Sequence, residues 1–346
     1  MAADSIPPEE LQKLAYETLS SYFYEHQDEV IEIEILPPAI EPPDGIIMQD
    51  GLSIGIPKKI LVLAFLEARK RFFEDMHNVE DTAAALQATN VMLLFDPEHI
   101  TAANYRKRRL DMLKGSAPTE TGSAYHRALR QELCFLNTIL TSPLHRQSKS
   151  PTLWHQRFCI LDPLMRIELN GATEEDRTAF WLAELTAVCR SGEQHPKNYY
   201  AWQYARRLLS RIGSHDVRGD IGHFVKDWCF KHPSDISGWS FLLHVISAIW
   251  PVARHSLLRN VLSYAIDLKA EQESLWVFIR VALAHESFSG PRTELYQTLQ
   301  YYSKGLTMDE KDSALTNRVS SALRWIDEHQ HLDTISASRR STLSTG

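Results

Sequence analysis

Cysteine is scarce in this chain of 346 residues. The four present, Cys134, Cys159, Cys189 and Cys229, are scattered and form no C-x-x-C pair. That pattern points away from a disulfide framework or a cysteine-built zinc site and toward buried free thiols in a reducing compartment. Positive charge is also in deficit, with 37 Lys and Arg against 44 Asp and Glu, a formal net charge of -7 and the two signs interspersed. A general nucleic-acid binder needs a basic stripe to neutralise phosphates, so that class is excluded. No apolar run reaches the roughly 18 residues that a membrane-spanning helix requires. Met1 to Pro8 lack the basic and then apolar layout of a signal peptide. A soluble, cytoplasmic protein is expected. A Gly-rich phosphate loop, a nucleophile elbow and a Ser/His/Asp order are missing too. The 15 histidines fall into no His/Cys/Asp set with ligand spacing on one helix. Glu328-His329-Gln330-His331 reads as a solvated face, so no metal is assigned to the chain.

What the chain does have is helical periodicity. Leu11, Leu14, Ala15, Tyr22 and Phe23 fall on one face after Pro7 and Pro8, where proline suits a first helical turn. This predicts an N-terminal helix within residues 1–27. Residues 28–57 differ. Ile31, Ile33 and Ile35 alternate with Glu32 and Glu34 as in a short strand, four prolines follow, and Asp50-Gly51 signals a turn. The segment is expected to be an extended insertion rather than a domain. Over residues 58–330 helices alternate with short breaks at Asp96-Pro97, Gly115 to Gly122, Ser142-Pro143, Gly171, Gly192 to Pro196, Gly213-Ser214, His232-Pro233 and Gly290-Pro291. Arg218-Gly219-Asp220 is taken as a turn. Residues 331–346, rich in Ser and Thr, are expected to be a disordered tail.

A repeat organises the helices. Trp154, Trp202, Trp239 and Trp276 open similar segments; the last two intervals are 37 residues each and the first is 48. Pro151, Pro196 and Pro233 lie shortly before three of them. Asp96-Pro97 leads into Ala103-Asn104-Tyr105-Arg106, which aligns as a further unit with alanine in the tryptophan slot. A period near 37 with two helices per unit predicts an all-α solenoid of helical hairpins, each burying a face against the next. The tryptophans are expected in the core, with Trp202, Arg206 and Leu209 sharing a face. Arg106 and Arg157, three residues past the slot, are expected to tie neighbouring helix ends.

The units HITAANYRKRRL from His99, KSPTLWHQRFCIL from Lys149, KNYYAWQYARRLL from Lys197, SDISGWSFLLHVI from Ser234 and ESLWVFIRVAL from Glu273 resemble the protein prenyltransferase α-subunit repeat. In that repeat a polar lead precedes Trp-x-x-Arg and an apolar helix. The stretch Asp50-Gly-Leu-x-Ile-Gly-Ile-Pro-Lys-Lys is similar to the divergent branch called prenyltransferase α-subunit repeat-containing proteins. The resemblance implies a right-handed α-α superhelix. It also implies an α-type subunit that wraps a β-subunit barrel and helps transfer an isoprenoid from its diphosphate to a cysteine near the C-terminus of an acceptor protein. Zinc is then expected on the β subunit and no cofactor on this chain. Within the divergent branch, geranylgeranyl transfer with a β subunit of the Rab type is favoured over farnesyl transfer.

The polar leads are the candidate site. Ser150-Pro151 reads as an N-cap with proline at the first helical position, and Asn198-Tyr199 offers a second cap. Lys149 and Lys197 therefore sit just outside helix N-termini, where unpaired amides favour an anion. A departing diphosphate needs such a place, because its charge grows as the carbon–oxygen bond breaks. By the resemblance, Lys149 is the position that reaches the diphosphate, with Pro151 in place of the family tyrosine. Asn198 matches the asparagine near the active site, and Tyr200 stands where the farnesyl enzyme has histidine. The chain alone is expected to be inactive. The alternative is an inert helical-repeat scaffold, and a third reading is a chain that sequesters a β subunit without turnover.

Overall fold

The computed structural model describes residues 7–76, 82–116, 120–285, 289–306 and 314–329, and the expected tail at 331–346 lies outside them. Fifteen helices and one small sheet make up the described residues, and the all-α class stands. The chain divides into two compact units, residues 1–179 with 183–204 and residues 180–182 with 205–346.

The first unit opens with α1 (Pro8–Glu25), begun by the predicted proline and buried along Leu11, Ala15, Leu19 and Phe23. Leu14 is half out of the core. The insertion is more ordered than the sequence suggested. Strands β1 (Glu32–Leu36), β2 (Met48–Asp50) and β3 (Ser53–Pro57) form a sheet in the order β1-β3-β2. β1 runs parallel to β3 and β2 antiparallel to it. The Asp50-Gly51 turn closes the β2–β3 hairpin, with Gly51 at φ 57°, a conformation glycine adopts freely. Ile33, Ile54 and Ile56 bury the inner face. β1 is the strand that the Ile/Glu alternation predicted, whereas the three-residue β2 carries no periodicity of its own.

The helices α2 (Lys58–Asp75), α3 (Thr82–Phe95), α4 (Ile100–Ser116), α5 (Ala124–Leu140), the short α6 (His145–Ser148), α7 (Pro151–Glu168), α8 (Glu174–Gln194) and the start of α9 (Tyr199–Leu209) complete this unit. In it α1 packs on α2 and α3, and α4 packs on both α5 and α7. The second unit contains the rest of α9, α10 (His215–Lys231), α11 (Ile236–Ile246), α12 (Pro251–Asp267), α13 (Glu273–Ala284), α14 (Ser289–Gly305) and α15 (Ala314–His329). Here α11 packs on α13 and α13 on α15, while α10 packs on α12 and α12 on α14. This is the two-layer pattern of stacked hairpins. It includes α15, which lies in the expected array although its start carries no tryptophan. Two predicted breaks are helical instead. Arg218-Gly219-Asp220 lies inside α10, which Ser214 caps, and Gly290-Pro291 falls in the first turn of α14, where proline is tolerated.

The repeat has one register throughout. In α4, α7, α9, α11 and α13 the slot residue donates its backbone N–H to the carbonyl four residues before it: Ala103 to His99, Trp154 to Ser150, Trp202 to Asn198, Trp239 to Asp235 and Trp276 to Gln272, at 3.1–3.3 Å. The four tryptophans are at most 3% exposed. Trp154, Trp239 and Trp276 each donate the indole N–H to the carbonyl six residues earlier, on Ser148, Pro233 and Ala270, at 2.7–2.9 Å. A buried indole needs that partner. In these three units the tryptophan fastens the connection before its helix as well as filling the core.

Candidate functional site

Two arginines of the repeat are fixed structural members. Arg106 donates to the Glu132 carboxylate through Nε and Nη2, the latter at 2.7 Å, and to Asn90 at 2.6 Å. Arg157 reaches Glu184 at 3.0 and 3.1 Å and also bonds Asn137. The arginine therefore bridges a carboxylate in the middle of one flanking helix and an amide on another, and for Arg157 that amide, Asn137, lies in the last turn of α5. Both pairs are almost wholly buried. Burial alone would lower the Arg157 pKa, but the Glu184 carboxylate and the Tyr204 phenol raise it overall. Tyr204 donates its O–H to Glu184 and is pushed well above the usual phenol range, by burial first and by Glu184 next. The third repeat has Ala205 in the arginine slot, and Tyr204 approaches Glu184 from this unit instead. Arg206 turns outward to Ser240, at 2.8 Å.

The polar leads of the second and third repeats are joined at one atom. The Ser148 carbonyl accepts the Trp154 indole N–H at 2.8 Å and the Asn198 side-chain amide at 3.0 Å. Asn198 is fully buried, donates also to Ser191 Oγ at 2.9 Å, and caps α9 through the Ala201 N–H. Lys197, immediately before it, has φ 63°. This is the left-handed region, uncommon outside glycine and often found where a functional turn is held in shape. Tyr199 and Tyr200 follow, 62% and 39% exposed, with ring centroids 5.6 Å apart.

Lys149 caps the C-terminus of α6 and is half-buried. Its ammonium donates to His145 Nε2 at 3.0 Å, one turn earlier. The His145 ring stands edge-on to that of His195, with centroids 5.4 Å apart. Burial lowers the His195 pKa, and His145 and Lys149 lower it further, against the carbonyls of Pro143 and Ser142. The lead thus groups Lys149 with two imidazoles, and the lysine is not solitary. Sequence reasoning missed both histidines. The i, i+4 spacing of His145 and Lys149 was the available signal, obscured because the helix that presents them has only four residues.

The N-terminus of α7 carries a further group that the sequence did not reveal. Ser150 caps the helix by accepting the Leu153 N–H at 3.1 Å, as predicted. Its hydroxyl and that of Thr152 both donate to the carboxylate of Glu98. An internal anion therefore already sits at this helix end.

Among the described residues no group of three or more His, Cys, Asp or Glu could hold a metal ion, and no helix is long and apolar enough to cross a membrane.

Comparison with known proteins agrees with the repeat. Residues 164–258 match the ECM9 middle domain family. The chain is 25% identical over 200 residues to Protein ECM9 of Saccharomyces cerevisiae, covering 57% of this chain and 49% of that one. It is 26% identical over 182 residues to protein prenyltransferase alpha subunit repeat-containing protein 1 of Danio rerio, covering 49% and 39%. The chain is related to the divergent prenyltransferase α-subunit repeat proteins. It spans about half or less of the length of these curated relatives. The ECM9-like stretch contains Lys197, Asn198 and Tyr200 and begins after Lys149.

Proposed function

We propose that this chain is the α-type subunit of a heterodimeric protein prenyltransferase acting in the cytoplasm. Its partner is a β subunit of the Rab type, and the lipid it helps transfer, geranylgeranyl rather than farnesyl, goes to a cysteine thiol near the C-terminus of an acceptor protein. The observation that carries this reading is the Ser148–Asn198 bond. It draws together the leads of two repeats, the same leads that supply the active-site edge in the family this chain resembles. Zinc activates the acceptor thiol in that chemistry. By the resemblance, that zinc is carried by the β subunit and not by this chain. In the transfer the thiolate sulfur bonds the first lipid carbon, the carbon–oxygen bond breaks, and diphosphate leaves with the electron pair. Lys149, with Lys197 beside α9, stabilises that growing negative charge. Tyr199 and Tyr200 supply exposed aromatic surface at the same lead.

A specific observation favours the second reading, a scaffold that has lost the chemistry: Glu98 fills the anion position at α7. The two readings part in one experiment. The chain is co-expressed with the β subunits of its source organism, and the complex is given labelled geranylgeranyl and farnesyl diphosphates with acceptor protein. Under the enzyme reading Lys149→Ala lowers lipid transfer about 10–100-fold with β-subunit binding unchanged. A stable complex with no transfer to any acceptor supports sequestration, and no complex at all supports the scaffold.

A further inference from the structure

The sheet formed by the insertion has an inner face closed by isoleucines and an outer face on which Glu32, Glu34, Met48 and Asp50 are exposed and Leu36 is nearly buried. The strand register places Glu32, Glu34 and Leu36 of β1, Ser53 and Gly55 of β3, and Met48 and Asp50 of β2 on that outer side. Together with Ile54 they line a shallow groove of about 240 Å³. Its floor is apolar. Leu36 lies across Gly55, where a Cβ would come within 2.5 Å of Leu36 Cδ2, and Met48 is 37% exposed beside it. Leu36 can lie there because residue 55 has no side chain. Its margin is acidic: Glu32, Glu34 and Asp50 are all exposed. Glu32 already receives a guanidinium, that of Arg190 from α8. Among the described residues no ion pair engages Glu34 or Asp50.

We propose that this face docks a cationic peptide segment of a partner protein. An apolar side chain of the segment lies on Leu36 and Met48, and two basic side chains pair with Glu34 and Asp50. The argument is one of charge and shape. The two carboxylates stand on the strands either side of β3, two residues apart in register and so about 12 Å apart at the usual strand spacing and rise, with the apolar floor between them. An anionic ligand would be repelled, and a purely apolar one would leave the carboxylates facing it without a partner. The Arg190–Glu32 pair demonstrates, within the chain itself, the contact that the partner would repeat.

The test uses the full chain and a short fluorescein-labelled peptide with an arginine on each side of a Leu-Val centre, read by anisotropy at low and at physiological salt. Saturable binding is expected, weakened by salt, and about tenfold weaker in the double variant Glu34→Gln/Asp50→Asn. Both substituted side chains are exposed, so this variant keeps its fold, which circular dichroism checks. Gly55→Ala, which displaces Leu36 into the groove, is expected to weaken binding with the acidic margin intact. The proposal is overturned if the wild-type chain does not bind, if the double variant binds equally well, or if a peptide with glutamate in place of arginine binds as tightly. It is also overturned if sedimentation shows a dimer of this chain that the double variant dissolves, since a second copy is then the occupant.

Discussion

Asn198 donates its side-chain amide to the carbonyl of Ser148, 50 positions earlier, at 3.0 Å and fully out of solvent. One buried side chain therefore sets the position of the third repeat's lead against the second's. Asn198→Ala removes that bond, the bond to Ser191 and the cap on α9. A loss of about 2–3 kcal/mol is expected, measured as a lower urea midpoint. Lys149→Ala should change stability by less than about 0.5 kcal/mol, since the lysine is half-exposed. A comparable fall for both variants would refute the division of roles between them.

Glu184→Ala is expected to cost about 3–5 kcal/mol, because it leaves the Arg157 guanidinium buried and unpaired. The double replacement Arg157→Met/Glu184→Leu should recover most of that loss. A double-mutant cycle on chemical denaturation reads both. If the double variant is as unstable as the single, the pair is contributing through its bonds to Asn137 and Tyr204 rather than through charge.

The His195 pKa is lowered in the folded chain from its ordinary 6.5, by burial first and then by His145 and Lys149. A depressed histidine binds its proton more readily when unfolded. The stability it contributes is therefore complete above about pH 6.5 and is lost as pH falls toward the folded pKa. His244 is lowered in the same direction, by burial and then by Arg206. Thermal stability should decline as pH falls from 7 to about 5.5, and less steeply in His195→Asn. An identical slope in that variant would assign the decline to other groups.

Trp276→Phe keeps most of the buried ring but deletes the bond to the Ala270 carbonyl, and a cost of about 1–2 kcal/mol is expected. Trp276→Ala adds a cavity and should cost about 3–5 kcal/mol. Hydrogen exchange of the amides around Ala270 is the sharper readout. They should lose protection in both variants, since in each the connection before α13 is released.

Much of the architecture was legible in the residues. Burying hairpin on hairpin demands one large apolar anchor per unit at a fixed depth in the helix, so Trp154, Trp202, Trp239 and Trp276 announced the period. Pro151 and Ser150 marked a helix start for reasons of backbone geometry alone. What stayed hidden rested on partners distant in sequence. Arg157 could be expected to bond something, but Glu184 was one of many acids available to it. α15 lies inside the expected helical array, although no tryptophan marks its start.

The sequence by itself determined the all-α class, the register of the repeat and the candidate leads, because helix capping and apolar spacing act over a few residues. Only the tertiary structure decided that Asn198 is a buried tie, that Lys149 shares its place with His145 and His195, that Glu98 already lies at the start of α7, and that the insertion is a sheet with one open face. Each of these depends on which long-range partner satisfies a polar group once water is excluded. That choice is made by packing, and no local pattern encodes it.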